Sequence, residues 1–394
     1  MESRSASLAF TVLLGVLFAL TALGTDAWLP ALPVAALELG APVAGMQLTV
    51  TTYFLGLAAG QLVWGPLSDR YGRKPVLLAG LATALVASAV CAAADSAAAL
   101  VLARLAQGFG MSAGPVMART IVRDLHGQEQ AARLLARMII VFSVIPIAAP
   151  LAGGLMLVLG GWRAVFWLLG AVPAVLLATV ALRFAETAPA QRASVHPVQL
   201  ARGFAAIAAE PRFLAPFGAM LCAQIGIFAF VSNSAFVLVN GLGVAPGSFA
   251  FLFALVMVGQ IAGAWLSSRL VMRAGMARLL RAGTVIVLVC GLAAAALAWA
   301  GVAHPAAVVL PFMGLLFGSA LVIPNATVLG LQPFPRTAGS ASSLMGATQF
   351  FVGAAVSSAL GTLFDGSARP MATVAAAGGV CAFLIVRSFV RGPR

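Results

Sequence analysis

Long apolar segments, separated by short polar breaks, are the feature that most restricts how this chain can fold. An apolar run of about 20 residues is long enough to cross the hydrocarbon core of a bilayer as an α-helix. The run that begins at Leu8 is too long for the hydrophobic region of a signal peptide, so we interpret it as a first span. In all, the sequence predicts twelve spans, at residues 8–36, 44–67, 75–94, 97–119, 131–158, 163–183, 211–238, 247–268, 277–301, 305–330, 337–363 and 370–389.

The composition agrees with a membrane protein. Of the 394 residues, 62% are hydrophobic and 8% are charged, whereas about 25% of the residues of a typical soluble domain are charged. The net charge of +13 would indicate a nucleic-acid partner in a soluble protein. In a membrane protein, its meaning depends on where the charges lie along the chain.

The 23 Lys and Arg residues are distributed unevenly between the predicted loops. With the N-terminus in the cytoplasm, only Arg163 and Arg369 lie on the far side of the membrane and Arg104 lies within a span, which leaves 20 on the cytoplasmic side. Cytoplasmic loops of membrane proteins carry an excess of Lys and Arg. The distribution therefore predicts that both termini are cytoplasmic, and we expect no nucleic-acid partner.

The longest predicted cytoplasmic loop divides the spans six and six. It covers residues 184–210 and contains ETAPAQRASVHPVQ, the most polar stretch of the chain. A polar stretch between two periodic or apolar regions is typical of a linker. We therefore predict an N-terminal six-helix bundle at residues 1–183, a cytoplasmic linker at 184–210 and a C-terminal six-helix bundle at 211–394.

The two halves share a short internal repeat. GQLVWGPLSDR at residues 60–70 aligns without gaps with GQIAGAWLSSR at residues 259–269, an offset of 199. At this offset Ser268 takes the place of Asp69, so the first copy carries more charge. Parallel repeats of six spans around a central cavity are one plan of membrane transporters, and the repeat therefore favours a transporter.

Two charged residues lie within predicted spans, Asp26 in the first and Arg104 in the fourth. Charges inside a membrane are costly and usually face a bundle interior or a cavity. Burial favours a neutral carboxyl group and a nearby arginine favours a charged one, which makes Asp26 a candidate proton carrier. The alternative is a static ion pair with Arg104. Pro30 and Pro33 predict a bend in the helix just after Asp26.

Other polar and aromatic residues within the spans are candidates for lining a substrate cavity. Each of the polar ones could equally form a hydrogen bond between helices, and phenylalanine is also ordinary core or lipid-facing material. The candidates are Tyr53, Gln224, Phe228, Asn233, Asn325 and Gln349.

A dense charge cluster in the loop after the second span carries a family resemblance. The segment GPLSDRYGRKP at residues 65–75 resembles motif A of the major facilitator superfamily. Positive-inside topology alone accounts for basic residues there, but not for an acidic residue and a glycine at fixed places. The matching positions are Gly65, Leu67, Asp69, Arg70, Gly72, Arg73 and Lys74.

Two further segments are similar to motifs of the same superfamily. RLAQGFGMSAGP at residues 104–115 resembles motif B, and IPIAAPLAGG at residues 145–154 resembles the antiporter motif C. The motif C positions are Pro146, Pro150, Gly153 and Gly154, with Ala149 where glycine is usual. Together with TDAWLPALP and RTIVRD, these segments resemble the Bcr/CflA branch of drug:proton antiporters, although Trp28 stands where tyrosine is common.

The resemblance implies a fold and a set of roles. It implies an all-α membrane protein with twelve transmembrane helices, arranged as two six-helix bundles around a central cavity. It implies proton coupling by Asp26 with support from Arg104. It also implies a cytoplasmic conformational latch, formed by the motif A residues together with Asp124, to which Arg73 would pair.

The expected function is therefore export of small hydrophobic compounds, such as chloramphenicol-like or bicyclomycin-like drugs, in exchange for protons. We expect a monomer in the bacterial inner membrane, with the drug, protons and the lipid bilayer as its partners. A metabolite importer or facilitator on the same fold is the alternative. An enzyme is disfavoured because the three histidines lie far apart and no nucleophile or metal pattern occurs. No ATP-binding loop motif occurs either, and we expect no metal or cofactor.

Overall fold

The computed structural model describes residues 8–125, 128–188, 197–334 and 337–389, which are almost entirely helical. A 3₁₀ turn at Leu29–Ala31 and a π-helix at Phe236–Gly241 accompany fourteen α-helices in these residues. The α-helices are α1 (Leu8–Asp26), α2 (Leu32–Glu38), α3 (Val43–Tyr71), α4 (Arg73–Ala92), α5 (Ala97–Met111), α6 (Ala113–Leu125), α7 (Gln128–Arg183), α8 (Pro197–Ala208), α9 (Pro211–Ala235), α10 (Pro246–Ala274), α11 (Met276–Trp299), α12 (Pro305–Leu331), α13 (Ala338–Leu363) and α14 (Arg369–Phe389).

Ten stretches of the described residues are long and apolar enough to cross a membrane. One of them, Val141–Arg183, holds two predicted spans, because the backbone leaves helical geometry at Gly160 (φ −157°, ψ 23°) and Gly161 (φ 72°, ψ −174°). The predicted span at 97–119 is formed by α5 and α6 in succession, and neither reaches spanning length alone. The chain is therefore a multi-pass, all-α membrane protein, and this part of the expected fold is confirmed.

The helices group into two compact units. The first contains residues 1–41 and 48–197, and the second contains residues 42–47 and 198–394. Apart from residues 42–47, the chain thus passes from one unit to the other within the predicted linker. That linker is not loop throughout, because α8 occupies Pro197–Ala208. Residues 189–196 of the linker, like both chain ends, lie outside the described residues.

In the first unit, two glycines bring helix α3 into backbone contact with α5. A Cβ atom on Gly56 would overlap the carbonyl oxygen of Leu105, and a Cβ on Gly60 would lie 2.8 Å from that of Phe109. Small residues at such positions allow two membrane helices to approach closely, and packing rather than the hydrophobic effect then holds them together.

The second unit repeats this contact between α10 and α12. A Cβ on Gly259 would overlap the carbonyl oxygen of Met313, and a Cβ on Gly263 would overlap that of Phe317. In both units the two glycines are one helical turn apart and so are the two carbonyls. Gly259 is therefore the structural counterpart of Gly56, an offset of 259 − 56 = 203.

The helix bounds give the same offset. Helices α3 and α10 both contain 29 residues, and they begin at Val43 and Pro246, which are 203 positions apart. Each ends at a glycine in the left-handed region, Gly72 with φ 103° and Gly275 with φ 80°. The ungapped alignment at an offset of 199 was therefore wrong by four residues. The counterpart of Asp69 is Met272, not Ser268.

Candidate functional site

Helix α1 is interrupted immediately after Asp26. The helix ends at this residue, and the 3₁₀ turn leads into α2. Pro30 cannot donate a hydrogen bond to the Asp26 carbonyl oxygen four residues earlier, so its position explains the break. The Asp26 residue is 7% exposed, and no cation of the described residues lies within 4.0 Å of its carboxylate.

Backbone carbonyl groups hold the side chain of Arg104. This residue is completely buried on α5. Its Nη1 donates to the carbonyl oxygen of Gly24 at 3.0 Å, and its Nε donates to that of Thr49 at 3.3 Å. The alternative of a static ion pair with Asp26 is therefore not what these contacts form, because Arg104 bonds to the backbone two residues before Asp26. Arg104 and Asp26 are brought into one region without forming an ion pair.

Side chains complete the surroundings of Arg104. Its Nη1 also donates to Gln107 Oε1 at 2.5 Å, and Gln107 Nε2 donates to Ser88 Oγ at 2.7 Å. The guanidinium carbon lies 4.0 Å from the ring centroid of Tyr53, a cation–π distance. The Tyr53 hydroxyl donates to the carbonyl oxygen of Thr21 at 3.0 Å. Tyr53 is therefore completely buried and bonded within the first unit.

Arg73 joins the ends of three helices at the turn after α3. Its Nη1 donates to Asp69 Oδ1 at 2.5 Å and to Ser68 Oγ at 2.8 Å. Its Nε donates to Asp124 Oδ2 at 2.8 Å, so that α3 and α6 are both bound to the first residue of α4. Charge-assisted bonds of this kind are short and comparatively strong.

The other motif A positions surround this turn. Gly72 adopts a φ of 103°, which only glycine takes readily. Lys74 Nζ donates to the carbonyl oxygen of Ala181 at 3.0 Å, and Arg70 lies 5.2 Å from the ring of the tyrosine that follows it. Gly65 has open space around it. The turn is therefore bonded mainly through Arg73 and Lys74.

Glu186, a residue that the sequence analysis missed, binds the same turn. Its Oε1 accepts from the Arg73 backbone N–H at 2.8 Å, and its Oε2 accepts from the Lys74 backbone N–H at 3.2 Å. A Cβ on Gly72 would overlap this carboxylate. The carboxylate thus caps the N-terminus of α4, where the unpaired N–H groups and the helix dipole favour an anion.

The Glu186 cap should stabilise the fold in a pH-dependent way. Partial burial alone would raise the pKa of its carboxyl group, but hydrogen bonds from the N–H groups of Ala188, Arg73, Thr187 and Lys74 hold that pKa below the usual value. Because the folded-state pKa is the lower one, the stabilisation is present above the unfolded-state pKa and is lost as the pH falls through the folded-state pKa.

We expect Glu186→Gln to lower stability by about 0.5–1 kcal/mol at neutral pH, the usual effect of a charge at a helix end. The melting temperatures of wild type and variant, measured in detergent, should converge as the pH falls through the folded-state pKa of Glu186. A difference that stays constant until the carboxylate is fully protonated would contradict this role.

The motif C residues lie on helix α7 and contact the break in α1. Gly153 and Gly154 are buried, and a Cβ on Gly153 would overlap the carbonyl oxygen of Ala27. The structure therefore brings the antiporter-like motif next to Asp26, although 127 positions separate Gly153 from it in the sequence. The two motif prolines, Pro146 and Pro150, lie inside the same helix.

In the second unit, two of the cavity candidates bind each other. Gln224 Nε2 donates to Gln349 Oε1 at 3.0 Å, which joins α9 to α13. One helical turn further, the ring of Phe228 packs on Gly353. Gln224 Oε1 is buried without a hydrogen-bond partner among the described residues. These positions therefore form one face that retains an unused acceptor.

The two asparagines differ in their surroundings. Asn325 Nδ2 donates to Ser267 Oγ at 3.0 Å and to the carbonyl oxygen of Leu321 at 2.7 Å, which is a contact between helices α12 and α10. Asn233 is completely buried near the end of α9, and its Nδ2 has no partner in the described part of the chain. The structure thus groups Asn325 with helix packing and leaves Asn233 with an unused donor.

Buried charge is confined to the first unit. The buried charged residues of the described chain are Asp26, Arg73 and Arg104. If Met313 is matched to Leu105 by the glycine contacts, the counterpart of Arg104 is Phe312. Its ring stacks on Phe230 at 5.2 Å. The two units therefore share a packing plan, but the buried charged side chains of the described residues all belong to the first.

The amino-acid sequence is similar to those of a known protein family and of two resistance proteins. The sequence matches the family model of the Major Facilitator Superfamily over residues 14–358. It is 29% identical to a bicyclomycin resistance protein homologue of Haemophilus influenzae over 374 residues, which cover 94% of this chain and 93% of that protein. It is 35% identical to a chloramphenicol resistance protein of Pseudomonas aeruginosa over 282 residues, which cover 70% of this chain and 66% of that protein.

A solved structure shares the fold. The crystal structure of a D-xylose–proton symporter superposes with a TM-score of 0.74 and 15% sequence identity, covering 97% of this chain and 98% of that one. Within the described residues, no group of three or more His, Cys, Asp or Glu side chains could hold a metal ion.

Proposed function

The chain belongs to the major facilitator superfamily, and from this premise we propose that it exports small, largely hydrophobic drugs in exchange for protons. Members of this family are transporters, so the protein is a transporter and not an enzyme. The resistance proteins to which it is similar support drugs as the substrate class, in particular chloramphenicol-like and bicyclomycin-like compounds.

The observation that carries the proposal is the position of Asp26. It is a buried carboxylate at a helix break, with no cation within 4.0 Å among the described residues. A carboxylate locked in an ion pair would keep its charge, whereas this one can gain and lose a proton as its surroundings change. Arg104 would support it from the Gly24 carbonyl. Protonation from outside and release inside would then drive export.

We further propose that the Arg73 cluster is a latch that holds one conformation. Its bonds to Asp69 and Asp124 join helix ends, and such contacts can break in one step when the helices separate. The second unit has Met272 at the position of Asp69, so it lacks this acidic partner. The latch would therefore act in the first unit, at the cytoplasmic ends of its helices.

Charge reversal at Asp69 tests the latch. We expect Asp69→Lys to slow transport at saturating drug several-fold and to leave the drug dissociation constant near the wild-type value, because the residue would act on cycling. Transport rates in vesicles and equilibrium drug binding in detergent measure the two effects. A variant that binds drug weakly but turns over normally would place this residue in substrate recognition instead.

For the substrate-binding surface we propose the face formed by Gln224, Gln349 and Phe228. Its support is the buried Gln224 Oε1, which has no hydrogen-bond partner among the described residues. Such an oxygen can bind a neutral drug that carries a hydrogen-bond donor, since an unused buried polar group gains most from a new hydrogen bond. Asn233 lies nine residues further along α9, on the opposite side of that helix, and stays a separate prediction. Tyr53 is a separate candidate within the first unit, where its ring lies next to Arg104.

We also propose a monomer in the bacterial inner membrane with both termini in the cytoplasm. The distribution of Lys and Arg between the loops supports the orientation of the termini. The alternative function, a metabolite importer or facilitator, keeps the same fold and differs in the direction of transport. The motif C-like residues disfavour this alternative, and Ala149, in place of the usual motif C glycine, keeps it open.

Transport by the purified protein in vesicles decides between these functions. An imposed pH gradient and a panel that contains chloramphenicol, bicyclomycin, other antibiotics and common metabolites would be applied. We expect one or more drugs to move against their gradient in exchange for protons. Movement of a metabolite down its gradient, with no drug moved, would establish the alternative.

A further inference from the structure

The break in helix α1 leaves the carbonyl oxygen of Ala27 without its usual donor. In a continuous helix, the Ala31 N–H would donate to this oxygen four residues earlier. Here the Ala31 N–H donates to the carbonyl oxygen of Trp28 at 3.0 Å, as part of the 3₁₀ turn. A backbone carbonyl without a partner is costly inside a membrane, so the environment of this oxygen matters.

The backbone of helix α7 contacts this oxygen at Gly153. The Gly153 backbone lies so close to the Ala27 carbonyl that a Cβ on Gly153 would overlap the carbonyl oxygen and lie 2.8 Å from the carbonyl carbon. At this separation a glycine Cα–H group can contact the oxygen directly, which is a weak hydrogen bond. Only glycine permits the approach, since every other residue would push the two backbones apart.

The contact is formed by the residue that follows Asp26. Ala27 directly follows Asp26, so only the φ and ψ rotations of Ala27 lie between its carbonyl group and the peptide unit of Asp26, and a displacement of one strains the other. On the other side, Arg104 holds the Gly24 carbonyl at 3.0 Å. The Asp26 segment is therefore fixed by α5 before the carboxylate and by α7 after it.

We propose that Gly153 is a positioning residue for Asp26, through which the backbone of helix α7 determines where the Asp26 carboxylate lies. The proposal rests on the role of Asp26 in proton coupling. It gives the motif C glycine a physical role, because a movement of α7 is passed directly to the proton-carrying segment. Pro150, one turn earlier on α7, would shape the same stretch of backbone.

The charged and titratable groups around Asp26 come from the other helices. Tyr53 on α3 interacts electrostatically with Asp26 and with Arg104 on α5. Cys91 on α4 interacts with Arg104, and Arg119 on α6 lies 5.7 Å from a phenylalanine ring on α1. Residues 141–162 of α7 contain no titratable side chain. Substitution of Gly153 therefore changes the position of Asp26 without adding or removing a charge.

Chemical labelling of Asp26 tests the proposal without any transport measurement. A hydrophobic carbodiimide reacts with protonated carboxyl groups, so the pH at which half of Asp26 is labelled, read by mass spectrometry, reports its protonation. We expect Gly153→Ala to move this midpoint by about 0.5 pH unit or more, because the surroundings of the carboxylate change. Gly247→Ala is the control, because a Cβ on this residue of α10 would lie in open space and the residue belongs to the second unit.

Pro150→Ala is a second variant for the same test, because it alters α7 without adding volume beside Ala27. We expect it to move the midpoint too, and it carries the test if Gly153→Ala does not fold. Folded variants that both label at the wild-type midpoint would overturn the proposal. Failure of the proposed function would show differently, as wild-type vesicles that transport no drug against its gradient, and it would leave the labelling result standing.

Discussion

Replacement of Asp26 by asparagine should abolish uphill export while the protein still folds and binds drug. Asparagine has the size and shape of a protonated aspartate but cannot release a proton. The residue makes no ion pair in the described part of the chain, so its neutralisation leaves no buried cation unpaired, and we expect little loss of stability. The pH gradient would then have no carrier through which to drive transport.

Transport in vesicles with an imposed pH gradient measures this effect. Accumulation by Asp26→Asn should fall to the level of vesicles without protein, while exchange of labelled for unlabelled drug at equal pH should continue. Asp365→Asn is the matched control, because Asp365 is an exposed aspartate whose contacts lie within its own loop, and it should transport normally. Uphill export by Asp26→Asn at the wild-type rate would remove Asp26 from the coupling mechanism.

The second large effect concerns the glycines at the two helix contacts. We expect Gly56→Ala and Gly259→Ala each to destabilise the protein by about 1–3 kcal/mol, the usual cost of overpacking. The added methyl group would overlap a backbone carbonyl in each unit, and a carbonyl on a neighbouring helix cannot turn aside as a side chain can. The two helices of the pair would have to separate.

Two other glycines on the same helices provide controls, because their replacement by alanine should not lower the stability. Gly65 on α3 and Gly247 on α10 have open space where a Cβ would lie. Their replacement by alanine should leave stability unchanged or raise it by up to about 1 kcal/mol, since alanine favours the helix over glycine. Melting temperatures of the four variants in detergent distinguish the classes. Equal changes in melting temperature at contact and control positions would show that the glycine contacts do not stabilise the packing of helices within each unit.

The overall fold could be predicted from the sequence because it depends on properties that are local. The length of an apolar run determines whether a helix can span a membrane. Pro30 interrupts its own helix whatever the other helices around it do. The register of the internal repeat could not be read in this way. A shift of four residues keeps nearly the same helix face, so small and apolar residues match almost as well at 199 as at 203. The contacts of Gly56 and Gly259 with carbonyl groups distinguish the two offsets.

The contacts that the site residues make were harder to predict than the site residues themselves. Motif A pointed to Arg73 and Asp124, but the capping carboxylate, Glu186, lies 113 positions after Arg73 in a polar stretch. The sequence of that stretch does not indicate which helix end it meets. Its one available signal was a lone acidic residue just beyond the sixth span. Similarly, the residue types left open an ion pair between Asp26 and Arg104, whereas backbone carbonyl groups near the helix break bind the arginine.

The interruption at Gly160 and Gly161 has a consequence for biosynthesis. Only these two residues leave helical geometry between the fifth and sixth spans, so almost no hydrophilic chain separates them. When the fifth span leaves the ribosome, its far end has no polar loop to hold it across the bilayer. We therefore expect the two spans to enter the membrane together as a helical hairpin, and a lengthened, charged loop at this point would turn one insertion event into two.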